Sequence, residues 1–116
     1  MDQSSLPIAQ IKAELFRALA HPVRVRALEF LVQGERSVGE LATALDVDLS
    51  HLSQQLAVLR RAGVVVTRRD GNTIYYSVEN PGVLELLTTA RELIVSSLQH
   101  SSSLLATLEA GTESDS

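Results

Sequence analysis

Between Ser50 and Asn72 the chain reads SHLSQQLAVLRRAGVVVTRRDGN. Two kinds of polar chemistry are concentrated there. Ser50, His51, Ser53, Gln54 and Gln55 carry hydroxyl, imidazole and amide groups, which donate and accept hydrogen bonds and can pair with base edges or phosphate oxygens. Arg60, Arg61, Arg68 and Arg69 are permanent cations with planar, forked donors suited to phosphate or carboxylate. Opposed only by Asp70, these arginines leave the segment at +3, while the other residues carry −7 of an overall −4. An acidic chain therefore presents one local cationic flank.

Leu52, Leu56 and Leu59 recur at helical spacing and point inward, which turns His51, Gln54, Gln55, Val58 and Arg61 outward. An exposed helix of this kind fits a major groove, where a glutamine amide can bond adenine bidentately. Ser50 and Ser53 stand near the helix start, where hydroxyls commonly hold phosphate. Structural roles compete with these readings: Ser50 as a helix cap, one glutamine merely solvated, and Arg60 and Arg61 paired with nearby carboxylates. Downstream, VVVTRR and TIYYSV alternate with period two around Asp70, Gly71 and Asn72, residues that tolerate a tight hairpin turn. Arg68 and Arg69 flank the tip, Asn72 and Tyr75 lie in the same hairpin, and Tyr76 shares the inner face with Ile74 and Val78. Charges at such a tip serve backbone or minor-groove contact, and they also guard an edge strand against aggregation.

Further elements must hold these groups. Ser37 and Glu40 have capping-box spacing, and Leu41, Ala42 and Leu45 give a short helix a buried face. The link from Asp46 to Asp48 joins it to the polar helix, which Gly63 is suited to close, so the pair reads as a helix-turn-helix and the hairpin as its wing. Before it, Ile8, Ile11, Leu15, Ala18 and Leu19 mark a first amphipathic helix. Pro22 opens a second, lined by Val25, Leu28, Leu31 and Val32 and ending near Gly34. After Asn80-Pro81-Gly82, a near-heptad seam of Val83, Leu87, Ala90, Ile94, Leu104 and Leu108 weakens at Ser97 and Ser101. Some 25 residues of helix span about 38 Å, more than a small domain needs, so part of that seam is expected to meet another subunit.

The expected fold is mainly α with a small β-hairpin wing (α+β), a winged helix-turn-helix in αααα-ββ-α order. One domain over 8–108 is expected between a flexible N-terminus, 1–7, and a flexible tail, 109–116. The 116 residues suffice for one core, and with 45% hydrophobic but 3% aromatic residues that core must be aliphatic. No cysteine is present, which excludes disulfides and thiolate ligands and is compatible with the cytoplasm. No apolar run approaches a membrane span, and the start MDQSSLPIAQ lacks the basic-then-apolar order expected of a signal peptide.

Other polar residues point to less. His21, beside Pro22, suits capping or packing better than metal ligation, and Arg24 and Arg26 suit solvation or local pairing. His100 with Glu92 and Gln99 is thin material for a metal site. No nucleophile–base pair, phosphate loop or metal–base motif occurs in the needed context, so neither an enzyme, a metal nor a cofactor is expected.

Taken together, LAHPVRVRALEFL, SVGELATALDVDLSHLSQQLAVLRRAGVV and RRDGNTIYYSV resemble the ArsR/SmtB family of bacterial transcription repressors. The motifs cover about residues 12 to 79, with flanking helices in matching positions. The resemblance implies a cytoplasmic homodimer joined through its first and last helices, with Ile8, Ile11 and Leu15 on one and the seam from Val83 to Leu108 on the other. It implies two modules that bind double-stranded operator DNA as a repressor, at an imperfect inverted repeat. SVGELATAL lacks the Cys-x-Cys of thiolate sensors, and the last helix lacks the paired Asp-x-His and His-x-x-Glu of zinc and nickel sensors. A protein-interaction winged helix, or a metal- or ligand-responsive sensor with a site between the last helices, stand as alternatives.

Overall fold

The computed structural model describes residues 6–115, with side chains described as far as Gly111. The helices are α1 (Leu6–Leu19), α2 (Pro22–Leu31), α3 (Val38–Leu45), α4 (Leu49–Arg61) and α5 (Gly82–Asp115), and the strands are β1 (Arg36–Ser37), β2 (Val66–Asp70) and β3 (Thr73–Ser77). The expected order therefore holds, with one short strand added. The described residues form two compact units, one reaching to Val83 and the other starting at Leu84.

In the first unit the core is aliphatic. Ala27, Leu28, Leu31, Leu41, Leu45, Leu52, Leu56 and Leu59 are buried, joined by Ala18, Val64, Val65 and the ring of Tyr76. Each buried leucine contributes about 1.5–3 kcal/mol relative to exposure. These side chains come from all four of the first helices, from the approach to β2 and from β3, so the burial that stabilises the unit also fixes the angle between α3 and α4.

Polar groups close the helix ends that this packing leaves open. His21 caps α2, its Nδ1 accepting from the Val23 N–H at 3.1 Å, and Pro22 fills the first turn where no N–H is needed. Ser37 and Glu40 form the reciprocal capping box of α3. Arg24 donates to the carbonyls of Arg17 and Ala18 at the end of α1, and Arg26 reaches the Leu45 carbonyl at the end of α3. The two arginines thus tie α2 to the C-termini of both neighbours, where cations also meet the helix dipole favourably.

The sheet is antiparallel in the order β1-β3-β2. Two residues, Gly71 and Asn72, connect β2 to β3, and a positive φ of 63° at Gly71 supplies the backbone twist such a hairpin requires. Tyr76 lies in the core as expected, and Tyr75 stands half-buried on the other face. β1 pairs Arg36 with Tyr76 and Ser37 with Tyr75. Two residues are too few to show alternation, which is why the sequence pattern contains no trace of this strand.

Both termini are more helical than expected. Leu6 and Pro7, counted with the loose N-terminus, form the first turn of α1, where proline is tolerated; residues 1–5 lie outside the described residues. At the other end α5 has 34 residues, about 51 Å, and continues through Ser97, Ser101 and the stretch 109–115 expected to be a loose tail. The Thr107 hydroxyl donates to the Ser103 carbonyl one turn back, so a polar side chain is accommodated inside the helix. No helix among the described residues is long and apolar enough to cross a membrane.

Candidate nucleic-acid interface

Three residues between α3 and α4 set the presentation of the polar helix. Asp46 turns the chain in the left-handed region at φ 54°, a conformation that aspartate tolerates better than most residues, and its N–H reaches back to α3. The Val47 N–H bonds the Ala42 carbonyl at 3.1 Å, completing the closure of α3. Asp48 then caps α4 by accepting from the His51 N–H. At the far end Gly63, at φ 76°, follows the last turn of α4 and releases the chain toward the wing.

The first turn of α4 is already occupied by a carboxylate. Asp48 accepts from the Ser50 hydroxyl and from the His51 N–H, and these bonds, the Ser50 hydroxyl foremost, hold its carboxyl below the usual range. A negative charge therefore sits where phosphate would meet the helix end. With its proton directed at Asp48, Ser50 retains only lone pairs for another partner. Of the two serines named from the sequence, Ser53 alone keeps an uncommitted hydroxyl.

His51 in that turn, and Ser53, Gln54, Arg60 and Arg61 beyond it, are exposed on the outer surface of α4. Gln55 is only half-buried, yet its amide Oε1 is sealed from solvent and has no hydrogen-bond partner. Gln54 is thus the exposed glutamine of the pair. The ring of His51 stands 6.0 Å from that of His21, tilted by 55°, which brings the start of the polar helix beside the cap of α2.

On the wing, Arg69 and Asn72 are exposed at the tip. Among the described residues, Arg60, Arg61 and Arg69 have no carboxylate partner within ion-pair distance, so the competing role of Arg60 and Arg61 in local pairing is not seen. Arg68 differs. Its Nε and Nη2 donate to the two carboxylate oxygens of Glu35 at 3.1 and 2.7 Å, and its guanidinium lies 4.6 Å from the centre of the Tyr75 ring. The Arg68 hydrogen bond, more than its charge, holds the Glu35 carboxyl below its ordinary value. Glu35 went unnoticed in the sequence because its partner is 33 residues away and no local spacing links them.

The residues named for subunit contact remain outside any core. Ile8, Ile11 and Leu15 are exposed on α1, Ile11 by 65%, with Leu6 and Phe16 beside them. On α5, Ala90, Ile94, Leu104 and Leu108 are exposed, while Val83 and Leu87 are half-buried. Leu84, Leu93, Val95, Leu98 and Leu105 enlarge the exposed apolar surface of that helix.

Comparison with known proteins agrees with this architecture. Residues 21–67 match the family described as bacterial regulatory protein, arsR family. The chain is 50% identical over 108 residues to the uncharacterized HTH-type transcriptional regulator Rv0081 of Mycobacterium tuberculosis, covering 92% of this chain and 95% of that one. The crystal structure of Rv0081 superposes with a TM-score of 0.75 at 52% identity, over 81% of this chain and 95% of that one. The solution structure of Mb0332 from Mycobacterium bovis, a homodimeric winged helix-turn-helix DNA-binding domain, gives 0.76 at 30% identity, over 86% and 93%. The biofilm growth-associated repressor of Agrobacterium fabrum is 47% identical over 75 residues, 65% of this chain and 64% of that one. With its helix-turn-helix, its wing and a relative matched over nearly the whole of both chains, the protein belongs to the arsR family of bacterial regulatory proteins, and it is a transcriptional regulator of winged helix-turn-helix type.

Proposed function

We propose that the chain is a homodimeric repressor that reads an imperfect inverted repeat in double-stranded DNA, one α4 per half-site, with half-sites about one helical turn apart. The observation that carries this reading is the outer surface of α4. A capped, well-packed helix turns Gln54, Ser53 and His51 outward, and the guanidinium groups of Arg60, Arg61 and Arg69, which have no carboxylate partner among the described residues, lie on that helix and the wing. In a chain of net charge −4, cations left without carboxylates are suited to an external anion.

Roles divide by chemistry. Gln54 discriminates bases through its amide, with His51, Ser53 and Gln55 at the edges of the same surface. Arg60, Arg61 and Arg69 position the module on the phosphate backbone, and Asn72 sits at the wing tip beside them. Ser50 supports Asp48. The dimer is supported by the exposed apolar faces of α1 and α5, and by the homodimeric state of Mb0332. Repression is supported by the name of the Agrobacterium relative.

Selection of bound fragments from random duplex DNA, followed by titration of single-base variants of the selected site, tests this reading. Gln54→Ala is expected to change the ranking among site variants, whereas Arg69→Ala lowers affinity for all of them alike. No enrichment of any duplex, or enrichment of sites without twofold symmetry, counts against it.

A further inference from the structure

The side chain of Arg68 crosses the whole sheet. It starts on β2, opposite Tyr75 of β3, and its guanidinium passes over the Tyr75 ring. It ends on Glu35, the residue before β1, with both carboxylate oxygens engaged. Tyr75 is in turn the register partner of Ser37, the residue that caps α3. One arginine therefore links the outer wing strand to the segment from which the helix-turn-helix begins.

From this path we infer that Arg68 is a positioning residue for DNA binding: it straps the wing against the start of α3 through Tyr75 and Glu35, and it makes no phosphate contact of its own. The inference rests on the DNA-binding reading above and assigns Arg68 and Arg69, adjacent in sequence, to different tasks. Successive side chains on a strand point to opposite faces, so only one of the two can lie over Tyr75. Arg68 takes that face, and Arg69 faces away with no carboxylate partner among the described residues. A guanidinium bound side-on to a carboxylate has committed its best pair of donors, and the aromatic face beneath it favours the cation further. A phosphate approaching the donors that remain on Arg68 would meet a cation already offset by Glu35, with that carboxylate beside it.

The test separates charge from position. Glu35→Gln/Arg68→Gln removes the strap with no change in net charge. Operator affinity is measured against salt for this variant, the parent and Arg69→Ala. A phosphate contact made by Arg68 in each protomer would lower the slope of log K against log salt by about 1.8 when lost, as Arg69→Ala is expected to do. For the double variant the slope is expected to match the parent, with affinity lower by about two- to five-fold per protomer, the range set by an exposed ion pair. Tyr75→Leu, which removes the ring and leaves both charges, is expected to weaken binding at an unchanged slope. Amide exchange at Val66, Tyr75 and Ser77, whose N–H groups face the partner strand in this register, is expected to quicken in the DNA-free double variant. A slope reduced as far as in Arg69→Ala overturns the inference, and so do affinity and exchange both equal to the parent. If the parent binds no duplex at all, the DNA-binding reading fails, and the exchange measurement still decides whether the strap holds the wing.

Discussion

Raising salt from about 50 to about 200 mM is expected to cost the dimer roughly 1,800-fold in operator affinity. The figure comes from the cations that the fold leaves available. Arg60, Arg61 and Arg69 are exposed and have no carboxylate partner among the described residues, whereas Arg68 is held by Glu35. Counted in both protomers, the three give six phosphate contacts, and the release of condensed counterions gives a slope of about −5.4 in log K against log salt. Arg69→Ala removes two of the six, so its slope becomes about −3.6 and the same salt increase costs only about 150-fold. Fluorescence anisotropy with a labelled operator fragment, at five or so salt concentrations and fixed pH, measures both slopes. The net charge of −4 per chain makes the comparison informative, because whole-molecule attraction cannot generate a steep dependence. A parent slope near zero would show that these arginines do not face phosphate. Equal slopes for parent and variant would remove Arg69 from the backbone contacts.

The core, the caps and the helical faces give three further expectations. Leu56→Ala, at a fully buried position of α4, is expected to destabilise the fold by about 2–5 kcal/mol in urea denaturation; a cost below about 1 kcal/mol would mean that the helix is not packed as described. Glu40 and Asp48 have carboxyls lowered from their ordinary values of 4.5 and 3.8, chiefly by the Ser37 N–H and the Ser50 hydroxyl respectively. Their stabilisation is therefore present above those ordinary values and is lost as pH falls through the lowered ones, so Glu40→Gln/Asp48→Asn should flatten the acid limb of stability, and an unchanged limb would refute the capping account. Ile11→Glu and Ile94→Glu each place a charge on an exposed apolar face, and sedimentation should show a shift toward monomer with weaker operator binding; an unaltered dimer would place the subunit contact elsewhere.

The elements most legible in the sequence were those whose signals are local. Ser37 and Glu40 announced a cap because both partners lie within one turn, and Pro22 and Gly63 marked boundaries through the conformations that each residue favours. The inward leucines of α4 followed from periodicity alone, and with them the outward set that includes Gln54. Long-range pairings left no such mark. The Glu35–Arg68 bridge, the reach of Arg26 to the Leu45 carbonyl, and the partnering of Arg36 and Ser37 with the tyrosines of β3 join positions whose separation carries no periodic signal. Within the candidate site, the sequence names a surface but does not rank its members. Ser50 bonded to Asp48, the half-buried amide of Gln55 and the committed guanidinium of Arg68 differ from Ser53, Gln54 and Arg69 only through their three-dimensional neighbours. The sequence pattern understates α5 only at its C-terminal end, because no apolar seam residue follows Leu108 and Gly111 with the polar residues after it reads as a loose tail.

Ser37 belongs at once to a strand and to a helix start, ending β1 opposite Tyr75 while its hydroxyl caps α3. This double membership limits where the chain can change length. One residue added before Ser37 would shift Arg36 by one register step and reverse its face, and one added after it would withdraw the hydroxyl from Glu40. Grafts and chimeras built on this scaffold should therefore splice at the Gly71–Asn72 tip, where added loop length leaves both the ladder and the cap intact.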